Sequence, residues 1–414
     1  MDDIRVGIIG LGTRGTHALA RNMAETFPEH RLRVTALYDR NPARTQEAAE
    51  ELRAQYAAVG VTIEPTLHAD GQALIADPEV DLVMVVSITD THREYAVPAL
   101  LSGKRVYCDK PLAHTVEDAV AIVRAEQQSV NPLIMGFTRR YEDPWRTAAD
   151  LLADGAVGRL QLIQVRDMIP YHRYLTGWWR RREWSGGALN DKGSHLFDVF
   201  NWMIGERPLR VAATGGRRAL TEPEGHADRC HRCELVCPYR RREYGTGAPV
   251  AEDVFTHAGP SWLAETDERY VDDTCVYAPG TDLWHGGSVQ FTYPDGIVAS
   301  YIYTIFGQEA DDEETLEIVG SEGRIVLTRA TGEVRLIAEH GARREVMDRR
   351  GPHFHDSHFG ADKALMADLR AFALGAPPAV SARDGLEATR MVMAAHRSME
   401  SGGRSVEMEE ILDA

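Results

Sequence analysis

Val6-Gly7-Ile8-Ile9 runs directly into Gly10-Leu11-Gly12-Thr13-Arg14-Gly15, a helical pattern follows, and the next β-like run, Arg33 to Tyr38, ends on Asp39. A G-x-G-x-x-G string alone constrains little. Placed between a strand and a helix, with an acid roughly 20 residues further on, it demands a βαβ unit that receives a dinucleotide. Gly10 permits the tight turn, Gly12 lets the backbone approach a pyrophosphate, and Gly15 lets the helix sit close to the strand. The helix start offers unpaired N–H groups to phosphate oxygens. Asp39 can accept two hydrogen bonds from an adenosine ribose and would repel a 2′-phosphate, so NAD is expected over NADP. Arg40 and Arg44 stand close enough in sequence to neutralise such a phosphate and keep NADP as the lesser alternative.

The chain of 414 residues is long enough for two domains, and 43% hydrophobic residues suffice for two cores. No apolar run reaches the ~18 residues of a membrane span. The first strand begins near residue 4, which leaves no room for a signal peptide, so a cytoplasmic protein without a membrane partner is expected. The formal net charge of −17 argues against nucleic acid as a partner, because phosphate binding needs a basic surface.

Residues 1–128 alternate strands and helices: a helix over 43–60, a nearly continuous apolar strand from Val80 to Ser87, a helix over 91–102, a strand Arg105–Cys108, and a helix capped by Thr115. That rhythm predicts a Rossmann-type, doubly wound parallel sheet in an α/β chain. Residues 129–414 read differently. Longer alternating strands start at Leu160, Gly287, Ile297, Thr315, Ile325 and Glu333, with helices near 143–154, 194–204, 361–374 and 384–401. This predicts an α+β domain with an open, mostly antiparallel sheet. The stretch 220–285 has little periodicity and is read as an inserted loop region.

Two further motifs carry chemistry. Asp109-Lys110-Pro111 follows a strand of the nucleotide sheet, where a side chain faces the ligand crevice. Gly186-Gly187-Ala188-Leu189-Asn190-Asp191-Lys192-Gly193-Ser194-His195 places Asp191 and His195 four apart at a helix start, on one face. A carboxylate beside an imidazole can fix its tautomer and raise its basicity.

These motifs, in this order, resemble the Gfo/Idh/MocA family of glucose–fructose oxidoreductase, inositol dehydrogenase and their relatives. The resemblance covers essentially the whole chain, including Thr89-Asp90-Thr91-His92, Gly136-Phe137-Thr138-Arg139-Arg140-Tyr141 and the region from Pro378 to Ala394. The family's E-K-P reads Asp109-Lys110-Pro111 here, one methylene shorter. The resemblance implies Lys110, Asp191 and His195 as the catalytic set. It implies cofactor contacts from Gly10, Gly12, Thr13, Arg14 and Gly15, from Asp39 and Arg40, and from Thr89, His92, Asp109 and Lys110. The implied reaction is alcohol oxidation: His195 as general base, Lys110 stabilising alkoxide charge, Asp191 orienting His195 or holding a neighbouring hydroxyl. Two alternatives remain open, an NAD-dependent glycoside hydrolase or lyase working by transient oxidation at carbon 3, and a non-catalytic dinucleotide-binding sensor. The family's open sheet also implies a homodimer or homotetramer.

Tyr171, His172, Trp179 and Arg180 precede the second glycine motif and are expected to line the cleft, with Arg140 and Tyr141. Aromatic faces stack on sugar rings, and the density of Arg suits an anionic sugar derivative. Cys230, Cys233 and Cys237 form C-x-x-C-x-x-x-C, and Cys275 offers a fourth thiolate. Clustered cysteines in a cytosolic chain suggest metal, and a structural Zn²⁺ is expected, with His226 and His231 as substitute ligands. The run Pro352 to His358 holds three His at no usual ligand spacing and is read as a loop touching the substrate cleft or a subunit partner.

Overall fold

The structure is a computed structural model that describes residues 2–239, 269, 274–307 and 310–411. Of the inserted region expected over 220–285, residues 240–268 and 270–273 therefore lie outside the described residues.

Six strands build the first sheet: β1 (Ile4–Ile9), β2 (Leu32–Tyr38), β3 (Thr66–Leu67), β4 (Leu82–Val85), β5 (Arg105–Cys108) and β6 (Leu133–Met135). Their order is β3-β2-β1-β4-β5-β6, and every pair is parallel. All four residues of β4 are buried, as the central strand of a sheet covered on both faces requires. The order reverses between β1 and β4, which opens a crevice at their carboxyl ends.

Nine strands build the second sheet: β7 (Leu160–Met168), β8 (Arg210–Gly216), β9 (Gly286–Thr292), β10 (Val298–Thr304), β11 (Glu314–Gly320), β12 (Arg324–Thr328), β13 (Glu333–Ala338), β14 (Arg343–Asp348) and β15 (Val406–Glu407). The order is β14-β13-β12-β11-β7-β10-β9-β8-β15. All neighbours are antiparallel except β7 and β10. The Pro294-Asp295-Gly296 turn closes the β9–β10 hairpin, with Asp295 at φ 58° and Gly296 at φ 79°.

Helix Ala382–Glu400 ties the two sheets together. Ser381 and Asp384 form a reciprocal capping box at its start, each side chain accepting from the other's backbone N–H. Its apolar face packs on helix Val116–Gln128, helix Ser194–Ile204 and β8. Met135 N donates to Val380 O at 2.9 Å, so β6 is joined directly to the segment entering this helix. One apolar core runs through both sheets, and a smaller cluster of Ile169, Tyr174, Leu175, Ala188, Val276, Leu283 and Ile305 anchors residues 274–285. Among the described residues no helix is long and apolar enough to cross a membrane.

Five strands lacked a legible sequence signal. β3 and β15 have two residues each and β6 has three. β8 follows Arg210 with one Val and then only Ala, Thr and Gly, and β14 opens on two arginines and a glutamate at an exposed edge.

Candidate active site

The glycine loop is built as its pattern demands. Gly10 sits at φ 95°, and a Cβ there would meet Ser87 N at 2.5 Å. A Cβ on Gly15 would run into Gly10 O, so the helix that begins at Arg14 can approach β1 only without one. Around Gly12 nothing lies within 4 Å of where a Cβ would be. That open face at a helix start, beside the β1/β4 crevice, fits a dinucleotide pyrophosphate. Asp39, at the end of β2, holds the loop: Leu11 N donates to its Oδ2 at 2.8 Å and Asn41 N to its Oδ1 at 2.8 Å. Arg44 Nη1 is 3.7 Å from Oδ1, while Arg40 is exposed.

The Asp109-Lys110-Pro111 motif leaves β5 with a cis Lys110–Pro111 bond. Lys110 Nζ donates to Asp191 O and to Asp191 Oδ1, both at 3.0 Å. The other carboxylate oxygen of Asp191 accepts from the Tyr174 hydroxyl. Burial would raise the Asp191 carboxyl, but Lys110 and Lys192 hold it below its ordinary value. Burial likewise lowers Lys110, against the pull of Asp191. His195, 4% exposed on the first turn of helix Ser194–Ile204, packs against Phe137 at 5.7 Å. Its pKa is pushed well down, first by burial and then by Lys110, Arg139 and Lys192. His195 Nδ1 has no hydrogen-bond partner among the described residues. Both Asp191 oxygens are thus spent on Lys110 and Tyr174, which places this carboxylate on the lysine rather than on the imidazole.

Several expected contacts point elsewhere. Asp109 is 5% exposed and occupied, accepting from Arg14 Nε at 3.0 Å and from the Tyr107 hydroxyl at 2.8 Å. Arg14 also reaches Asp362 Oδ1 at 2.5 Å and lies 3.3 Å from His358 Nδ1, so the glycine loop is bonded to the start of helix Ala361–Ala373. His92 is buried, with its ring nitrogens 2.9 Å from Pro111 O and 3.0 Å from Ser87 O. It joins the loops after β4 and β5. Thr89 is buried beside it and Thr13 is half-buried in the glycine loop. Arg140 is bidentate to Asp198 at 2.9 and 2.7 Å, and Tyr141 donates to Asp368 at 2.9 Å. These contacts fasten helices Ser194–Ile204 and Ala361–Ala373 to the segment after β6. Arg180 is buried and donates to Ala278 O at 3.0 Å and Pro279 O at 2.6 Å, so it anchors the returning loop.

Tyr171 and Trp179 both meet the Tyr174 ring edge-on, at 5.7 and 5.8 Å, and so flank the Asp191 partner. His172 packs on Tyr239 at 4.9 Å. Tyr174 belongs to the same aromatic run as Tyr171 and His172 and is the member that reaches Asp191. No local signal singled out Lys192, whose ammonium lies 4.3 Å from the Tyr171 ring centroid. Behind the site, Arg139, Glu142, Glu314 and Arg329 form a fully buried ion network, with contacts of 2.7–2.9 Å at Arg139–Glu314, Arg139–Glu142 and Arg329–Glu142. His358, the last of the three clustered His, faces Asp362 at 2.8 Å, and burial lowers its pKa.

The structure lends the expected zinc site no support. Among the described residues no group of three or more His, Cys, Asp or Glu can hold a metal ion. Cys230, Cys233 and Cys237 lie on one loop, and Cys275 is buried with its Sγ 3.9 Å from His226 Nδ1. Cys237 is hydrogen-bonded to Tyr277, which, after burial, helps to push that phenol up to about 12. Cys233 and Cys237 act electrostatically on Cys275, and the His231 side chain lies outside the described residues.

Comparison with known proteins agrees with this architecture. Residues 4–137 match the family model described as "Oxidoreductase family, NAD-binding Rossmann fold", and residues 149–408 match its "C-terminal alpha/beta domain". A myo-inositol 2-dehydrogenase of Thermotoga maritima is 26% identical over 423 residues, covering 99% of this chain and 100% of that one. Inositol 2-dehydrogenase 2 of Saccharopolyspora erythraea is 30% identical over 259 residues, 62% of this chain and 68% of its own. The structure of a levoglucosan dehydrogenase in complex with NADH and L-sorbose superposes with TM-score 0.74 at 21% identity, over 99% of both chains, a likeness of fold. With both family models matched along nearly its full length and both sheets in place, this chain belongs to the Gfo/Idh/MocA family of NAD-binding oxidoreductases.

Proposed function

We propose that this chain oxidises a secondary hydroxyl of a sugar, sugar derivative or cyclitol, with NAD⁺ as the acceptor. The observation that carries this reading is the meeting of Lys110, from the nucleotide sheet, with Asp191 and, one helical turn on, His195. The names of the relatives, inositol and levoglucosan dehydrogenases, supply the substrate class.

When bound at the glycine loop, the nicotinamide supplies the hydride acceptor. The chain's own residues do the rest. Because its pKa is depressed, His195 stays neutral at working pH and can take the hydroxyl proton on a ring nitrogen. Lys110 has three donors, of which Asp191 uses two. The third is left to stabilise the alkoxide as the carbon–hydrogen bond breaks. Asp191, fixed by Tyr174, holds that ammonium in place. The net change is alcohol and NAD⁺ to ketone, NADH and a proton.

His195→Gln is expected to lower kcat by about 10²–10⁴-fold, the usual worth of a positioned base, with NAD⁺ affinity kept. Lys110→Met is expected to lose at least as much. NADH formation with myo-inositol and a sugar panel checks both. Wild-type rates in either variant would remove the residue from the reaction. NAD recovered from the purified protein, with turnover needing no added cofactor, would favour the redox-neutral hydrolase instead.

A further inference from the structure

We propose that Lys192 is a second substrate-facing cation, distinct from Lys110, and that it commits the site to a polyhydroxyl ring bearing a carboxylate. The inference rests on the reading of this site as a polyol dehydrogenase and adds the charge of its substrate.

Lys192 follows Asp191 directly and belongs to one contiguous patch. Lys110 bonds Asp191, Asp191 bonds Tyr174, Tyr174 meets Tyr171 edge-on at 5.7 Å, and Lys192 Nζ lies 4.3 Å from the Tyr171 centroid. The other cations around this patch already have anionic or carbonyl partners. Lys110 is held by Asp191, Arg139 and Arg329 by Glu142 and Glu314, Arg14 by Asp109 and Asp362, and Arg180 by two carbonyls. Among the described residues the Lys192 ammonium has the Tyr171 ring as its partner and no carboxylate at ion-pair distance.

Three acids face Lys192, and two of them are committed elsewhere. Asp191 is saturated by Lys110 and Tyr174. Glu314 lies between Arg139 and Arg329. The third, Asp167, accepts from the Tyr301 hydroxyl at 2.8 Å through Oδ2, while its Oδ1 has no hydrogen-bond partner among the described residues and stands beyond ion-pair distance of Lys192; burial, with Glu314 beside it, pushes its pKa up to about 6. Arg173 lies over the same Tyr171 ring, at 4.2 Å, which adds positive charge to this wall. Lys192 and Arg173 draw the Tyr171 phenol below its ordinary value, and Lys192 contributes to the depression of His195. A neutral hydroxyl could accept one hydrogen bond from Lys192. A carboxylate accepts a shorter, charge-assisted bond and also balances a charge partly withdrawn from water.

The test uses the full chain with NAD⁺ and two matched pairs, D-glucose against D-glucuronate and D-galactose against D-galacturonate. Wild type is expected to favour the acids in kcat/KM by about tenfold or more, the scale of one charge-assisted bond. Lys192→Met is expected to bring the acid-to-neutral ratio toward one, mainly through KM, and Lys192→Arg to restore part of it. Equal or better use of the neutral sugars by wild type, or an unchanged ratio in Lys192→Met, overturns the proposal. If no compound of the panel reduces NAD⁺, the dehydrogenase reading fails on its own. Calorimetric titration of D-glucuronate into the NADH-loaded protein then decides Lys192 separately: binding lost in Lys192→Met supports it, and equal or absent binding in wild type overturns it.

Discussion

Asp39 ends β2 with both oxygens engaged by backbone N–H groups of the glycine loop and of Asn41, so the residue that would meet the adenosine ribose also shapes the turn. Removing its charge is expected to relieve repulsion of a 2′-phosphate and to free Arg44, now 3.7 Å away, to attract one. Asp39→Ser should therefore lower the NAD⁺/NADP⁺ preference in kcat/KM by about tenfold or more. An unchanged ratio would mean that another residue sets cofactor choice. The pH profile belongs to this scale as well. His195 is depressed below 6.5 and Lys110 below 10.5. The base is active when neutral, so activity falls on the acid side as His195 gains a proton. It falls on the alkaline side as Lys110 loses one, with a level plateau across neutral pH in steady-state kcat/KM. A limb centred between pH 6.5 and 7.5 would contradict the depression of His195 by its surroundings.

At the level of elements, two buried ion-pair straps join segments far apart in the chain. The Arg139–Glu142–Glu314–Arg329 network joins the segment after β6 to β11 and to the turn after β12. Arg139→Met would leave two buried carboxylates sharing one arginine, and is expected to cost about 3–5 kcal/mol in urea unfolding. The second strap is Arg14–Asp362. Burial raises the Asp362 carboxyl, but Arg14 and His358 hold it far below its ordinary value. A depressed acid contributes stability that is complete above the unfolded-state pKa, about 3.9, and lost as pH falls through the folded value. Asp362→Asn should lower stability at neutral pH and flatten its acid limb, read by melting temperature from pH 7 to 3. These straps mark the limit of what the sequence discloses. The parallel sheet and the motifs that carry Lys110, Asp191 and His195 are local strings with fixed spacing, and so they were legible. Which of two adjacent arginines, Arg139 or Arg140, turns into a carboxylate network and which onto helix Ser194–Ile204 depends on partners 175 and 58 residues away. The carbonyl partners of Arg180 were hidden for the same reason, since they come from the far end of the inserted region.

For the whole molecule, helix Ala382–Glu400 makes the two sheets one apolar core, so a ligand in the β1/β4 crevice should be felt by the entire fold. NAD⁺ at about a hundred times its Kd is expected to stabilise the chain by about 2.7 kcal/mol, seen as a raised melting temperature. The inositol and levoglucosan dehydrogenases that share this architecture define the field of substrates to screen. The most direct test of the account is NADH formation by the wild-type chain and by His195→Gln across cyclitols, neutral sugars and uronates, with NAD⁺ affinity measured for both proteins. The expected result is NADH from wild type with at least one polyol, and a loss of about 10²–10⁴-fold in the variant at unchanged NAD⁺ affinity. Wild-type protein that binds NAD⁺ but oxidises none of these compounds, or a His195→Gln variant of equal rate, would contradict it.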